Sequence, residues 1–405
     1  MSKFPVFRVS SIAPAFMVLW LILSAFYYVD HLFSPSFYFG YDEGVFHKVL
    51  KYIVCFSLGF YLCITARAYG LLFFSGLLVL VASFFVINSG SLEIATLSMM
   101  ITGVMLPFAL IPALWTDRLL LIGRVVVLCG AVVGIFSIIE LTIISSRFES
   151  YWNSTQSIRS ISTLFNPNNL GLYVGAALLL LPYMQLKTLT SSLCGALLIF
   201  ALVVSGSRTA WVALIVVFVY ALLVSADARK LFFSMFHKKM PQLILTGVAF
   251  AIIYVIYLVF GATPNFEIAH RGTDLYTASV RLGNLQSFID LVDVGLFLPD
   301  TQGVRANFIQ DNFYLVVLNS FGILGLFLFL IFFMTYFSFW SKSKPELFPW
   351  KLIFVFYMVS GLSGSQLNSF PNNQLFFISI GAVWIYRPIF GRSQARLAHV
   401  SAPSS

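Results

Sequence analysis

Charge is what this chain has least of. Of its 405 residues, 10% are Asp, Glu, Lys or Arg, where an ordinary soluble domain carries about a quarter. So small a charged fraction cannot clothe a water-soluble globule of this length, and most soluble enzyme folds are excluded with it. Cysteine is scarce as well. Cys55, Cys63, Cys129 and Cys194 fall in apolar stretches without metal-ligand spacing, and they read as packing residues. Internal repeats and low-complexity tracts are absent, apart from a short polar tail at 393–405. The short alternating segments that build a membrane β-barrel are missing too. Lys3 and Arg8 precede an apolar stretch that has no small-residue cleavage site leading into a soluble domain. That pattern predicts a retained first span rather than a removed signal peptide.

What the chain does have is hydrocarbon. Hydrophobic residues make up 60% of it and aromatics 17%, and a mean hydropathy of +0.93 is spread over the whole length. Apolar runs of seventeen residues and more recur, long enough for a helix to cross a hydrocarbon core of roughly 30 Å. The expected fold is all-α: a polytopic helical membrane protein, with residues 1–405 forming one integral membrane domain of about twelve spans. These are placed at 12–29, 49–66, 69–88, 92–114, 119–143, 168–186, 189–205, 208–225, 242–260, 311–338, 348–366 and 373–390.

A net charge of +9 suggests nucleic acid until the charges are sorted by side. With the N-terminus inside, sixteen of the twenty-four basic residues lie on the inner face with only Asp117, Asp227 and Glu346, so that face carries +13 and the outer face −4. This is the positive-inside distribution, and it predicts that both termini are cytoplasmic. The basic excess reports topology and anionic lipid, with no nucleic acid implied.

Polar residues gather in the outer loops. Residues 30–48 carry Asp42 and Glu43, and 144–167 carry Arg147, Glu149 and Arg159. The longest outer loop, 261–310 between spans nine and ten, holds Arg271, Arg281, Asp290, Asp293 and Arg305. So long a loop is expected to have structure of its own. Its residues 280–293 approximate a helical period that suits a short helix lying in the membrane interface.

Three local sequences stand out at outer helix starts. Ser205-Gly206-Ser207-Arg208 puts an arginine where a helix N-terminus is already positive, an arrangement suited to phosphate oxygens as well as to a headgroup-seeking arginine. Asp311-Asn312-Phe313-Tyr314-Leu315, with Gly322 and Gly325 beyond it, offers Asp311 either as a helix cap or as a working carboxylate. The two glycines suit close helix packing in lipid. In Asn166-Pro167-Asn168-Asn169, the proline and asparagines suit a capped turn. Asn166 and Asn168 are also candidates for sugar contact.

Taken in order, these motifs resemble the O-antigen ligase and O-antigen polymerase superfamily of bacterial envelope glycan assembly. The resemblance covers roughly residues 160–330: an Asn-Pro-Asn segment, a Ser-x-Ser-Arg segment, a long outer loop with a further arginine, and an Asp-Asn-x-Tyr-Leu segment followed by Gly-x-x-Gly. It implies a helical fold of the GT-C-like kind in the bacterial inner membrane, with its active site on the periplasmic face. The ligases have a histidine where this chain has Asp311, so the resemblance favours a Wzy-type polymerase that elongates a glycan on undecaprenyl diphosphate. A chain-length regulator as partner is a further implication of the resemblance.

The chemistry is consistent with it. Diphosphate is a good leaving group, so cations that stabilise its developing charge can stand in for a general acid. Arg208 and Arg281 are the candidate cations, since guanidinium forks match phosphate oxygens. Asp311 is the candidate base for the acceptor hydroxyl. Ser205, Ser207, Arg305, Asn312 and Tyr314 are candidate substrate contacts, with Asn166 and Asn168. A single displacement would invert the anomeric centre, and no metal or cofactor is expected. Two rival readings follow from the same sequence. One is a ligase passing the glycan to lipid A core. The other is a lipid-linked glycan flippase, for which Glu140 within span five and Glu93 near span four would mark an ion pathway.

Overall fold

Long apolar segments leave the backbone no polar partner but itself, and a helix satisfies its N–H and C=O groups within one segment. A computed structural model describes residues 12–29, 45–89, 94–142, 159–164, 166–224, 240–260, 312–338, 347–364 and 370–384. Among these residues there are thirteen α-helices and no β-strand. They are α1 (Ile12–Ala25), α2 (Val45–Thr65), α3 (Tyr69–Ser89), α4 (Ile94–Met105), α5 (Ile111–Leu114), α6 (Leu119–Thr142) and α7 (Pro167–Leu180). There follow α8 (Thr188–Ser205), α9 (Arg208–Val224), α10 (Met240–Phe260), α11 (Phe313–Ser338), α12 (Phe348–Ser360) and α13 (Asn372–Trp384).

Each of the twelve apolar segments contains a helix among its described residues, and the departures from simple rods have local causes. Segment 92–114 is not one helix. After α4 the chain tightens into a 3₁₀ turn at Leu106–Leu110 that holds Pro107, then enters the one-turn α5 with Pro112. Each proline removes a backbone donor and cannot continue an α-helix from within. Pro182 likewise converts the end of the sixth segment into a 3₁₀ turn at Leu181–Tyr183. In α11 the helix breaks at Gly322, whose φ of 69° and ψ of −178° are not helical. Gly322 therefore interrupts the helix, where close packing between helices was expected of it. Among the described residues, two helices are long and apolar enough to cross a membrane: Thr116–Thr142, which includes a leading turn, and Thr188–Ser205.

The chain divides into two compact units of interleaved segments. The first comprises residues 1–41, 115–208 and 222–266. In it α8 packs against α6, α7 and α10, and α1 packs on α6. Small residues allow the approach: a Cβ on Gly134 would lie 2.7 Å from the carbonyl oxygen of Leu197, and one on Gly130 would lie 2.7 Å from Leu198 Cδ2. Leu141, Phe200, Val204 and Tyr257 close an apolar cluster at one end of α6, α8 and α10. The second unit comprises residues 42–114, 209–221 and 267–405. Its centre is the α12–α13 pair, buried almost throughout, with α13 laid on the Leu106–Leu110 turn. A Cβ on Gly381 would fall 1.8 Å from the carbonyl oxygen of Ala109, so the two backbones touch there.

Candidate functional site

The junction of α8 and α9 is a corner of two residues. Gly206 caps α8 with a left-handed φ of 56°, and its N–H donates to the Val203 carbonyl at 3.0 Å. A side chain at that φ would be strained, which is why glycine stands there. The Ser205 hydroxyl donates to the Leu202 carbonyl at 2.7 Å and accepts from the Ser207 N–H at 3.2 Å. Arg208, exposed, then opens α9. The first turn of α7 presses on this corner, since a Cβ on Gly171 would lie 2.3 Å from Ser207 Cβ. α7 begins with Asn166 as N-cap, its carbonyl accepting from the Asn168 N–H at 2.8 Å, and with Pro167 in the position where a missing N–H is harmless.

Arg159 binds these pieces together. Its Nε donates to the Ser205 carbonyl at 2.7 Å and its Nη2 to Asn168 Oδ1 at 2.9 Å. The side chain also lies over Gly206, where a Cβ would meet Arg159 Nε at 3.3 Å. The terminal carbonyl of α8, which has no partner within its own helix, is thus satisfied by a guanidinium.

The segment that carries Arg159 is itself pinned. Glu140, fully buried near the end of α6, accepts from the Ser160 hydroxyl at 2.5 Å, the Ile161 N–H at 3.1 Å and the Ser162 N–H at 2.9 Å. Ser160 N–H donates to the Val204 carbonyl at 3.0 Å, Ser162 Oγ to the Val133 carbonyl at 2.7 Å, and Thr163 Oγ1 to the Ala25 carbonyl at 2.7 Å. Burying a carboxylate is costly unless hydrogen bonds replace its hydration, and three donors from one turn of chain do so here. In this structure Glu140 is an anchor for a loop.

Electrostatically the corner is positive. The starts of α7 and α9 lie beside each other, each with the partial positive charge of a helix N-terminus, together with the guanidinium of Arg159 and the exposed Arg208. Asp117 and Glu140 are the acids among the described residues. Asp117 lies 3.9 Å from Arg118 and Glu140 is taken up by the loop. An anion with several oxygens is the ligand such an arrangement can hold.

Of the residues expected from sequence to form the site, Ser205, Ser207, Arg208, Asn166 and Asn168 meet at this corner, but not all as ligand groups. Ser205 and Ser207 are fully buried, and the Ser205 hydroxyl is spent on the turn. That revises the expectation that it faces a substrate. Asn166 caps α7, and Asn168 steadies Arg159.

Asn312 and Tyr314 are in the second unit. Asn312 is the N-cap of α11, its Oδ1 accepting from the N–H groups of Tyr314 at 3.0 Å and Leu315 at 3.1 Å, while its Nδ2 donates to the Leu362 carbonyl at 3.1 Å. The Tyr314 hydroxyl donates to the Met358 carbonyl at 2.8 Å. Asp311, Arg281, Arg305 and the interfacial helix expected at 280–293 lie outside the described residues, as does Glu93. Among the described residues no group of three or more His, Cys, Asp or Glu converges.

Arg159 and Glu140 are the residues whose part at this corner the sequence did not show. Arg159 looked like one more loop charge, and Glu140 like an intramembrane acid. Apart from Asn168 Oδ1 and the Ser160 hydroxyl, their partners are backbone groups, which leave no trace in residue type. No family model, no curated protein and no solved structure matches the chain.

Proposed function

We propose that this protein is a metal-independent, inverting polymerase of polyprenyl-diphosphate-linked oligosaccharide repeat units, building O-antigen or a related surface polysaccharide. The observation that carries the reading is the braced cationic corner: Arg208 exposed at the first turn of α9, with the Arg159 guanidinium fixed against the end of α8. A diphosphate headgroup is the multi-oxygen anion that suits it. Two of the ordered motifs that resemble the polymerase family, Asn166-Pro167-Asn168 and Ser205-Gly206-Ser207-Arg208, lie at this corner, and Asn312 of a third caps α11.

In the proposed reaction an acceptor hydroxyl attacks the anomeric carbon of the donor sugar. The bond from that carbon to the diphosphate oxygen breaks, the hydroxyl proton passes to Asp311, and polyprenyl diphosphate leaves with its new charge held by Arg208 and Arg281. One displacement inverts the anomeric centre. Arg305 and the Asn312 region lie close in sequence to Asp311 and would meet the acceptor.

The charge distribution supports placement in a bacterial inner membrane with cytoplasmic termini and a periplasmic site. Exposed apolar faces fit the same placement: Val212, Ile215 and Val219 on α9 are 56%, 60% and 46% exposed, and Phe73 on α3 is 75% exposed. Such surfaces suit lipid and are a liability in water.

The test is reconstitution. Purified protein given the undecaprenyl-diphosphate-linked repeat unit is expected to yield a ladder of lipid-linked glycans, in the presence of EDTA as well as without it. Transfer confined to lipid A core would make it a ligase, and transbilayer movement without bond formation a flippase. Loss of the ladder in EDTA with recovery on Mg²⁺ would overturn the metal-free chemistry.

A further inference from the structure

Glu140 sits where a membrane protein rarely keeps an acid, and the three bonds that hold it all go to one short segment. A carboxylate that only needed neutralising could be replaced by an apolar residue at no loss, since buried charge is weak evidence of stability. The partners indicate a different use. Ser160, Ile161 and Ser162 directly follow Arg159 in the chain, so fixing those three residues fixes the backbone from which the guanidinium extends. The Ser160 N–H bond to the Val204 carbonyl holds the same backbone against the last turn of α8, one residue before Ser205. Arg159 then grips Ser205 and Asn168, and Arg208 stands three residues beyond Ser205. A long, entropically costly side chain binds best when its geometry is set beforehand.

We infer that Glu140 is a positioning residue for the diphosphate site: through residues 160–162 it fixes Arg159, and through Arg159 it sets the geometry of the corner that presents Arg208. The inference rests on the proposed diphosphate corner but not on the polymerisation step. Glu140 touches no substrate. Its effect on binding passes through Arg159.

That dependence makes the inference testable by a double-mutant cycle. Full-length protein in detergent is titrated with farnesyl diphosphate, a short polyprenyl diphosphate, and the dissociation constant is read for wild type, Glu140→Gln, Arg159→Ala and the pair. Glu140→Gln is near-isosteric and keeps one acceptor. Ser160→Ala, which removes the hydroxyl contact alone, is the milder companion should the buried variant fold poorly. Thermal unfolding and size-exclusion profiles confirm the folded fraction.

The expected result is that Glu140→Gln weakens binding about tenfold in the wild-type background, and less than about twofold once Arg159 is alanine, since coupled sites are non-additive. Ser160→Ala is expected to show the same dependence at smaller amplitude. Equal losses in both backgrounds would overturn the inference, as would full affinity in folded Glu140→Gln or Ser160→Ala. Absence of farnesyl diphosphate binding by the wild type would overturn it too. Binding with the coupled pattern, but no glycan ladder in the reconstituted reaction, would refute the polymerase reading and leave the positioning role standing.

Discussion

Asp311 and Asn312 are chain neighbours that compete for one structural job, and the structure gives that job to Asn312. Its side chain takes the two amides at the start of α11 and ties the helix to the Leu362 carbonyl. Capping therefore gives no reason for an acid at 311. In the proposed reaction Asp311→Asn is expected to lower elongation by at least about a hundredfold, with thermal stability unchanged. Asn312→Ala is expected to reduce stability by about 1 kcal/mol. A stability loss in Asp311→Asn with elongation intact would reverse the two roles. Arg208→Ala is expected to lower the elongation rate on the order of a hundredfold, the scale of removing one donor to a developing oxyanion, with insertion into the membrane unchanged.

A second residue-scale anomaly is Gln374, fully buried at the start of α13, whose side-chain amide finds no nitrogen or oxygen partner among the described residues and has only the weakly hydrogen-bonding Cys55 thiol against it. Leaving such a group unpaired costs about 1–3 kcal/mol. Gln374→Leu, of similar volume, is expected to raise the melting temperature. A fall would mean that an ordered molecule completes the amide's bonds in the membrane protein.

At the scale of elements, glycine and proline decide where helices stop being simple rods. Pro107 and Pro182 turn helix ends into 3₁₀ segments because each removes a donor, and Pro112 sits in the one-turn α5. Gly322 has the more specific effect. Its φ and ψ lie in a region that only glycine enters without strain, where another residue costs of order 1–3 kcal/mol. Gly322→Ala is therefore expected to lower the melting temperature. An unchanged or higher value would show that α11 runs straight through this point. The corner between α8 and α9 depends on Gly206 in the same way, and on Gly171 for the approach of α7. Three chain segments can meet there because two of the contact positions lack a side chain.

For the molecule as a whole, the distribution of charge is the basis of the proposed orientation. The four native cysteines are buried, so single cysteines introduced elsewhere give a clean label. With a membrane-impermeant maleimide on intact spheroplasts, Thr301→Cys in the loop between α10 and α11 is expected to react. Ser234→Cys in the basic loop before α10 is expected to react only after lysis. The opposite pattern would invert the assigned topology and move the cationic corner to the cytoplasmic face. The arginine corner belongs to the first compact unit, and the Asn312 cap of α11 to the second.

Helicity was legible in the described apolar segments, since continuous apolar runs allow few other solutions, and the chemistry-bearing motifs were legible because they are polar exceptions in that background. Helix breaks were less so: Gly322 was visible, but whether a glycine packs or breaks a helix depends on the backbone dihedrals it adopts. The brace was not legible at all. Arg159 and Glu140 act largely through backbone carbonyls and amides of residues up to 46 positions away, and backbone groups are the same at every position. Composition thus determined the apolar, helical character of the described segments, and local motifs marked the positive corner. Only the tertiary structure, by bringing α6, α7, α8 and their loop into contact, decided that Glu140 anchors a segment and that Arg159 joins the Ser205 hydroxyl in holding the turn. Hydrogen bonds to backbone form between points in space that sequence spacing does not encode.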